Sequence, residues 1–133
     1  FHAKRLRSVT EILNSHGCSL GLEFIGPKTS RINSKYEFIY DMTGMVKLCD
    51  AIGTGNVGLL LDCWHWYTSH GTVDQIRQLK NIDVVYVHVN DAPTGIPVDE
   101  QIDSVRKLPG ETGVINIDGF MKALKKIGKI HEE

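Results

Sequence analysis

Three apolar runs, each closing on or near an ionisable side chain, restrict what this chain can fold into more than any other feature. They are Leu-Gly-Leu-Glu-Phe-Ile over 20–25, Val-Gly-Leu-Leu-Leu-Asp over 57–62 and Val-Val-Tyr-Val-His-Val over 84–89. Runs this short and apolar read as strands, and where nearly every position is apolar both faces must be covered, as in a parallel sheet. Helical patterns lie around them. Leu6, Val9, Ile12 and Leu13 recur at helical spacing before a stop at His16-Gly17. Phe38, Met42, Met45, Cys49 and Ile52 mark a second helix ending near Gly53. Thr72 suits the N-cap of a short helix over 72–79, and Phe120, Leu124 and Ile127 share one face of a helix over 118–127. The segment 90–113 reads as a long loop with three of the four prolines. Helix, strand, helix, strand, helix, strand, loop, helix predicts an α/β fold with parallel strands and helices outside.

Length and charge narrow the field. The 133 residues suit one domain, and a hydrophobic content of 41% is enough for a core. With 15 Lys+Arg against 16 Asp+Glu, no surface built for nucleic acid is expected. No apolar run approaches the ~20 residues needed to cross a bilayer. Cys18, Cys49 and Cys63 form neither a disulfide framework nor a Cys-x-x-Cys zinc pattern, which predicts a reduced, cytoplasmic protein with buried thiols. The start, Phe1-His2-Ala3-Lys4, lacks Met and opens inside a helical pattern, so a piece of a longer chain is expected.

The polar residues of the strands are informative by position. Glu23, Asp62 and His88 lie at or near the C-terminal ends of the three runs, the end that forms the ligand face of parallel α/β folds. By strand alternation Glu23 shares a face with Gly21 and Ile25, Asp62 with Gly58 and Leu60, and His88 with Val84 and Tyr86. If these faces converge, two carboxylates and an imidazole meet. Two buried carboxylates need a cation or a shared proton. The donor set suits Mn²⁺ first, with Mg²⁺, Co²⁺ or Zn²⁺ as alternatives. His65, three residues after Asp62, is expected in the turn beyond the strand, next to the metal or on a substrate oxygen. Its neighbours Trp64 and Trp66 offer either flat walls for a sugar face or loop packing.

In order along the chain stand Gly21-Leu22-Glu23-Phe24, Leu61-Asp62-Cys63-Trp64-His65, Val87-His88-Val89-Asn90-Asp91-Ala92-Pro93 and Leu108-Pro109-Gly110-Glu111-Thr112-Gly113. This series resembles the second half of the xylose isomerase-like TIM-barrel superfamily, over residues 1 to about 128. That group includes sugar phosphate isomerases and epimerases, hydroxypyruvate isomerase, inosose dehydratase, tagatose 3-epimerase-like enzymes and endonuclease IV. The resemblance implies a partial (β/α)8 barrel in which the runs are strands five to seven, with residues 1–133 as its C-terminal half. It implies Glu23, Asp62 and His88 as metal ligands, Glu23 also as acid/base, and His65 on substrate. Arg106, Trp64 and Glu111 are further candidates for substrate contact, and Asn90 and Asp91 for orienting His88. The family's fourth ligand is a Glu on the eighth strand, after a Gly-Tyr-Asp-Gly turn. Here Lys129-Ile130-His131-Glu132-Glu133 follows Gly128, so neither Glu132 nor Glu133 takes the role and the eighth strand is missing.

The resulting expectation is a metal-dependent isomerase or epimerase of a sugar, sugar phosphate or polyol-derived substrate, working through a metal-stabilised enediolate. Three alternatives stand beside it: an inosose dehydratase-like lyase, a metal phosphodiesterase of the endonuclease IV kind, and an inactive fragment. The second alternative needs a His shortly after the third run, and 99–103 contains none. A barrel takes about 250 residues, so the strand edges of half a barrel would be unpaired and open to self-association.

Overall fold

The computed structural model describes residues 1–130. Its element order is α1 His2–Ser15, β1 Leu20–Leu22, α2 Met42–Ile52, β2 Val57–Asp62, α3 Cys63–Thr68, α4 Val73–Arg77, β3 Val84–His88 and α5 Ile117–Lys126, with short 3-10 turns between. The three strands pair in parallel in the order β1-β2-β3. This is the expected α/β architecture of a partial barrel, with the outer edges of β1 and β3 unpaired among the described residues. No described helix is long and apolar enough to cross a membrane. Glu132 and Glu133 lie outside the described residues.

The core lies between the sheet and the helices. Leu59 and Leu61 point into it from β2, against Met42 and Met45 of α2 and Phe120, Ala123 and Leu124 of α5. Each of these two helices is started by a side chain. Asp41 accepts from the Gly44 N–H at 2.7 Å, and Asn116 accepts from the Gly119 N–H at 3.0 Å. Thr72 caps α4 as expected, through a reciprocal box with Gln75. The first helix is attached differently from its apolar pattern. Val9 and Ile12 are exposed, while buried Thr10 and the Arg7 guanidinium, which donates to the Ile52 and Ala51 carbonyls, tie it to the end of α2. Cys49 and Cys63 are buried as expected; Cys18 is exposed.

Two features place the polar strand ends. Leu59 is opposite Val84, but Leu60 is opposite Tyr86 and Asp62 opposite His88, which leaves Val85 as an extra residue in β3. Val84 therefore belongs to the core with Leu59 and not to the face of His88, contrary to simple alternation. Tyr86 and His88 stand on the open face with Leu60 and Asp62. The second feature is α3, which begins where a turn was expected. Asp62 Oδ1 accepts from the Trp64 N–H at 2.8 Å, capping a helix whose every residue but Tyr67 is buried.

The loop after β3 is built on Asp91, which is 0% exposed. Its carboxylate accepts from the backbone N–H groups of Ala92, Thr112, Gly113 and Ile115 at 2.8–3.0 Å. Its backbone exchanges two hydrogen bonds with Lys107, which fixes the neighbouring Arg106. Both carboxylate oxygens serve the loop, so Asp91 does not orient His88 as expected. Burial pushes its pKa up, but the four N–H donors outweigh burial and hold it far below the usual carboxylate range. A depressed folded pKa stabilises the fold above the unfolded value and loses that stabilisation as pH falls through the folded one. Asp91→Asn should therefore cost about 2 kcal/mol at neutral pH, by leaving buried donors facing an amide. Urea titrations should show the gap to wild type narrowing below about pH 4.

Candidate metal centre

Glu23, just past β1, Asp62 at the end of β2 and His88 at the end of β3 meet on the open face of the sheet. His88 Nδ1 lies 4.0 Å from Glu23 Oε1 and 3.9 Å from Asp62 Oδ2. His65 joins them from the first turn of α3, its Nε2 3.8 Å from Glu23 Oε1. Ligand atoms of Glu23, Asp62 and His65 all lie within 4.8 Å of one another. A surface hollow away from these residues is lined by Val46, Cys49, Val57 and Asp83. The site is an open shelf, and the His88 side chain is 48% exposed on it.

Which lone pairs remain decides what each group can do. Asp62, 1% exposed, spends Oδ1 on the Trp64 N–H and on Asn90 Nδ2 at 3.2 Å, while Oδ2 accepts from Arg106 Nη1 at 2.8 Å. A carboxylate oxygen accepts two such bonds; on Oδ2 the second is a long one, 3.4 Å from the same Asn90 amide, and Oδ2 also faces His88 Nδ1. Asn90 thus holds Asp62 and not His88. Its backbone N–H donates to the Cys63 sulfur while the Cys63 thiol donates back to its carbonyl, continuing the β2–β3 pairing past the strand ends. Burial pushes the Cys63 thiol up to about 11, which leaves it protonated for that bond.

The two imidazoles differ. His65 Nδ1 accepts from the Gly26 N–H at 3.2 Å, so the neutral ring carries its proton on Nε2, facing Glu23. Burial pushes its pKa below the ordinary value; Asp62 opposes the fall and Arg106 adds to it. His65 is therefore a buried neutral donor aimed at the shelf. His88 has Nδ1 turned to the two carboxylates, and its ring packs edge-on to Tyr86 at 5.5 Å. Glu23 has its pKa raised, first by burial and then by the Asp62 charge. A cation between the two carboxylates relieves both effects.

Three other expected residues fall elsewhere. Trp64 is 0% exposed and cannot wall a sugar: its ring lies under the Arg106 guanidinium, 5.2 Å from the centroid, and its Nε1 donates to Asp103. Trp66 packs on Phe120 in the core. Glu111 accepts from the Leu108 N–H and from Lys107 Nζ, organising its own exposed turn. Arg106 does reach the shelf. Burial disfavours its charge, but hydrogen bonds to Asp103 and Asp62 outweigh that and hold it cationic. Asp103 was missed from the sequence; only its spacing of three from Arg106 hints at the pair.

Residues 2–131 match the model of the xylose isomerase-like TIM barrel family. The chain belongs to that family. Among relatives, an inosose isomerase of Bacillus velezensis is 29% identical over 126 residues, 95% of this chain and 42% of that protein. A xylose isomerase domain protein of Alicyclobacillus acidocaldarius superposes with a TM-score of 0.86 at 36% identity, over 95% of this chain and 44% of the other. An IolI protein crystallised with a zinc atom shares the fold, with a TM-score of 0.81 at 23% identity over 97% of this chain and 43% of its own. The chain thus spans about two fifths of the length of the curated relatives it matches. For a xylose isomerase-like barrel, the C-terminal strand ends are where a site belongs, and the shelf of Glu23, Asp62, His65 and His88 lies there.

Proposed function

We propose that this chain is the C-terminal half of a xylose isomerase-like barrel, strands five to seven, and carries most of the site of a divalent-metal isomerase or epimerase acting on an inosose or a ketose sugar. The observation that carries this reading is the approach of His88 Nδ1 to the Glu23 and Asp62 carboxylates, at 4.0 and 3.9 Å, from three different strand ends, with the two carboxylates within 4.8 Å of each other. The donor set fits a hard or borderline divalent ion, Mn²⁺ foremost: two carboxylates raise the local negative charge, Asp62 Oδ2 and His88 Nδ1 face each other across the gap, and an ion there would replace the long Asn90 bond to Oδ2. His65 is outside the ligand set because Gly26 leaves its proton on Nε2. When bound by Glu23, Asp62 and His88, the ion would draw electron density from a carbonyl and its neighbouring hydroxyl.

The chain's own side chains then divide the work. His65 donates Nε2–H to a substrate oxygen. Arg106 presents a permanent positive charge beside it and favours negative charge developing there. Glu23 removes the proton from the carbon next to the carbonyl and returns it to the other carbon of the resulting enediolate, giving the isomer; an epimer requires a second acid on the opposite face of the enediolate. The names of the inosose isomerase relatives favour the polyol-derived ketone as substrate. Elimination of a hydroxyl after the same first step would give a dehydratase instead, which product analysis separates.

The test is made in the complete protein. Glu23→Gln is expected to abolish turnover of an inosose, on the order of a thousandfold or more for loss of a general base. His88→Ala is expected to lose Mn²⁺ binding by calorimetry. Retention of both Mn²⁺ binding and turnover by these two variants would falsify the assignment.

A further inference from the structure

We propose that Asp103 is a positioning residue that aims the Arg106 guanidinium into the site. The idea rests on the reading of Arg106 as a substrate contact. Its origin is a conflict in the geometry. Arg106 Nη2 lies 3.3 Å from His65 Nε2, and that nitrogen carries the imidazole proton because Nδ1 accepts from Gly26. Two donors this close repel, so the guanidinium is kept there by other groups. Asp62 takes Nη1 only. Asp103 takes the rest: its carboxylate Oδ1 accepts from Nη2 at 2.9 Å, and its carbonyl accepts from Nε at 3.0 Å.

Asp103 is itself anchored. The same Oδ1 accepts from Trp64 Nε1 at 3.1 Å, and Trp64 is a 0% exposed side chain of α3 whose ring lies beneath the guanidinium. A loop carboxylate is thereby fixed to a helix, and the helix is fixed by Asp62. Oδ1 also faces His65 Nε2 at 3.9 Å, which offsets the repulsion between the imidazole N–H and the arginine. Without the Asp103 carboxylate, Arg106 keeps one charged partner and regains rotamers, and the cation moves away from His65. The residue touches no reacting atom; it sets the place and plane of one that does.

The experiment compares Asp103→Ala, Asp103→Asn and Asp99→Asn in the complete protein. Asp99 is on the same loop but pairs with His70 and Lys28, so it serves as the control. Two readouts are used: kcat and KM for an inosose, and the NMR signals of the Arg106 Nη2–H groups, which donate to the Asp103 carboxylate and are assigned from their loss in Arg106→Lys. Asp103→Ala is expected to lower kcat/KM roughly tenfold to a hundredfold, as for a small misplacement of a reacting contact, and to broaden or remove the Nη2–H signals. Asp103→Asn is expected to fall between, because its amide oxygen accepts one bond without charge. Asp99→Asn should stay within about twofold of wild type. Unchanged kcat/KM with sharp Nη2–H signals in Asp103→Ala overturns the proposal, as does a loss that comes only from a smaller folded fraction, with normal activity per folded molecule. If Asp103→Ala does not fold, the same-sized Asn variant decides on the same two readouts. Should the wild type convert no inosose or ketose, the functional reading fails, and the Nη2–H signals alone still decide whether the Asp103 carboxylate holds Arg106.

Discussion

Asp62→Ala is expected to destabilise the complete protein by about 4 kcal/mol and to eliminate its response to divalent metal. The sum has two parts. Removing Asp62 takes one of two carboxylates from Arg106, which is 26% exposed and keeps Asp103, and leaves the Asn90 amide without its acceptor; together these cost about 3 kcal/mol. Losing the oxygen that caps α3 adds about 1 kcal/mol. Asp62→Asn separates these from the metal. It keeps the shape and a capping oxygen, so its cost in urea denaturation should be about half as large. It loses the charge, so metal affinity should still drop on the order of a hundredfold or more. For the wild type, Mn²⁺ at a hundred times its dissociation constant should add about 2.7 kcal/mol of stability over a chelated sample. A comparable Mn²⁺ effect in Asp62→Ala would remove this carboxylate from the ligand set.

Gly26→Ala should be nearly as damaging from outside the shelf. A Cβ at this position would sit 2.2 Å from the His65 carbonyl oxygen and 2.5 Å from Thr68 Oγ1. The first is backbone inside α3 and cannot swing away, so the loop after β1 must move off the helix. That costs about 3 kcal/mol by overpacking. The movement also withdraws the N–H that sets the His65 tautomer. The freed imidazole can then place its proton on either nitrogen. Thermal denaturation should show the stability loss. In the fraction that stays folded, turnover should fall at least tenfold, because a donor to substrate becomes an acceptor in part of the molecules. An alanine variant of wild-type stability and activity would show that the close approach of loop and helix is dispensable.

The strands, their parallel pairing and the two carboxylates were legible because an apolar run that ends on a charged residue leaves few interpretations: the run must be buried and the charge must find a partner. What was not legible depends on tertiary context. Cys-Trp-His-Trp-Tyr-Thr has no helical period and modest helix propensity; it is helical because Asp62 caps it and the core surrounds it, and this buried both tryptophans, for which the sequence allowed either sugar walls or loop packing. Asp91 reads as one more loop acid, yet its partners at 112, 113 and 115 are more than twenty residues away. Asp103 was hidden for the same reason, since its value comes from a tryptophan 39 residues earlier. The apolar pattern of α1 misled in the opposite direction: its attachment is made by Arg7 and Thr10, which a hydrophobic reading passes over.

The unpaired Val85 has a bearing on how such a site can be gained or lost. Val85 shows that this strand takes up one extra residue and stays paired; a second one, inserted between Tyr86 and His88, would set Val87 opposite Asp62 and turn His88 toward the helical layer. The third strand would still be a buried, apolar, parallel strand in either phase. The scaffold and the imidazole's direction are therefore separable by a single codon, so a lineage could switch its chemistry off or on at this strand with the barrel wall left intact.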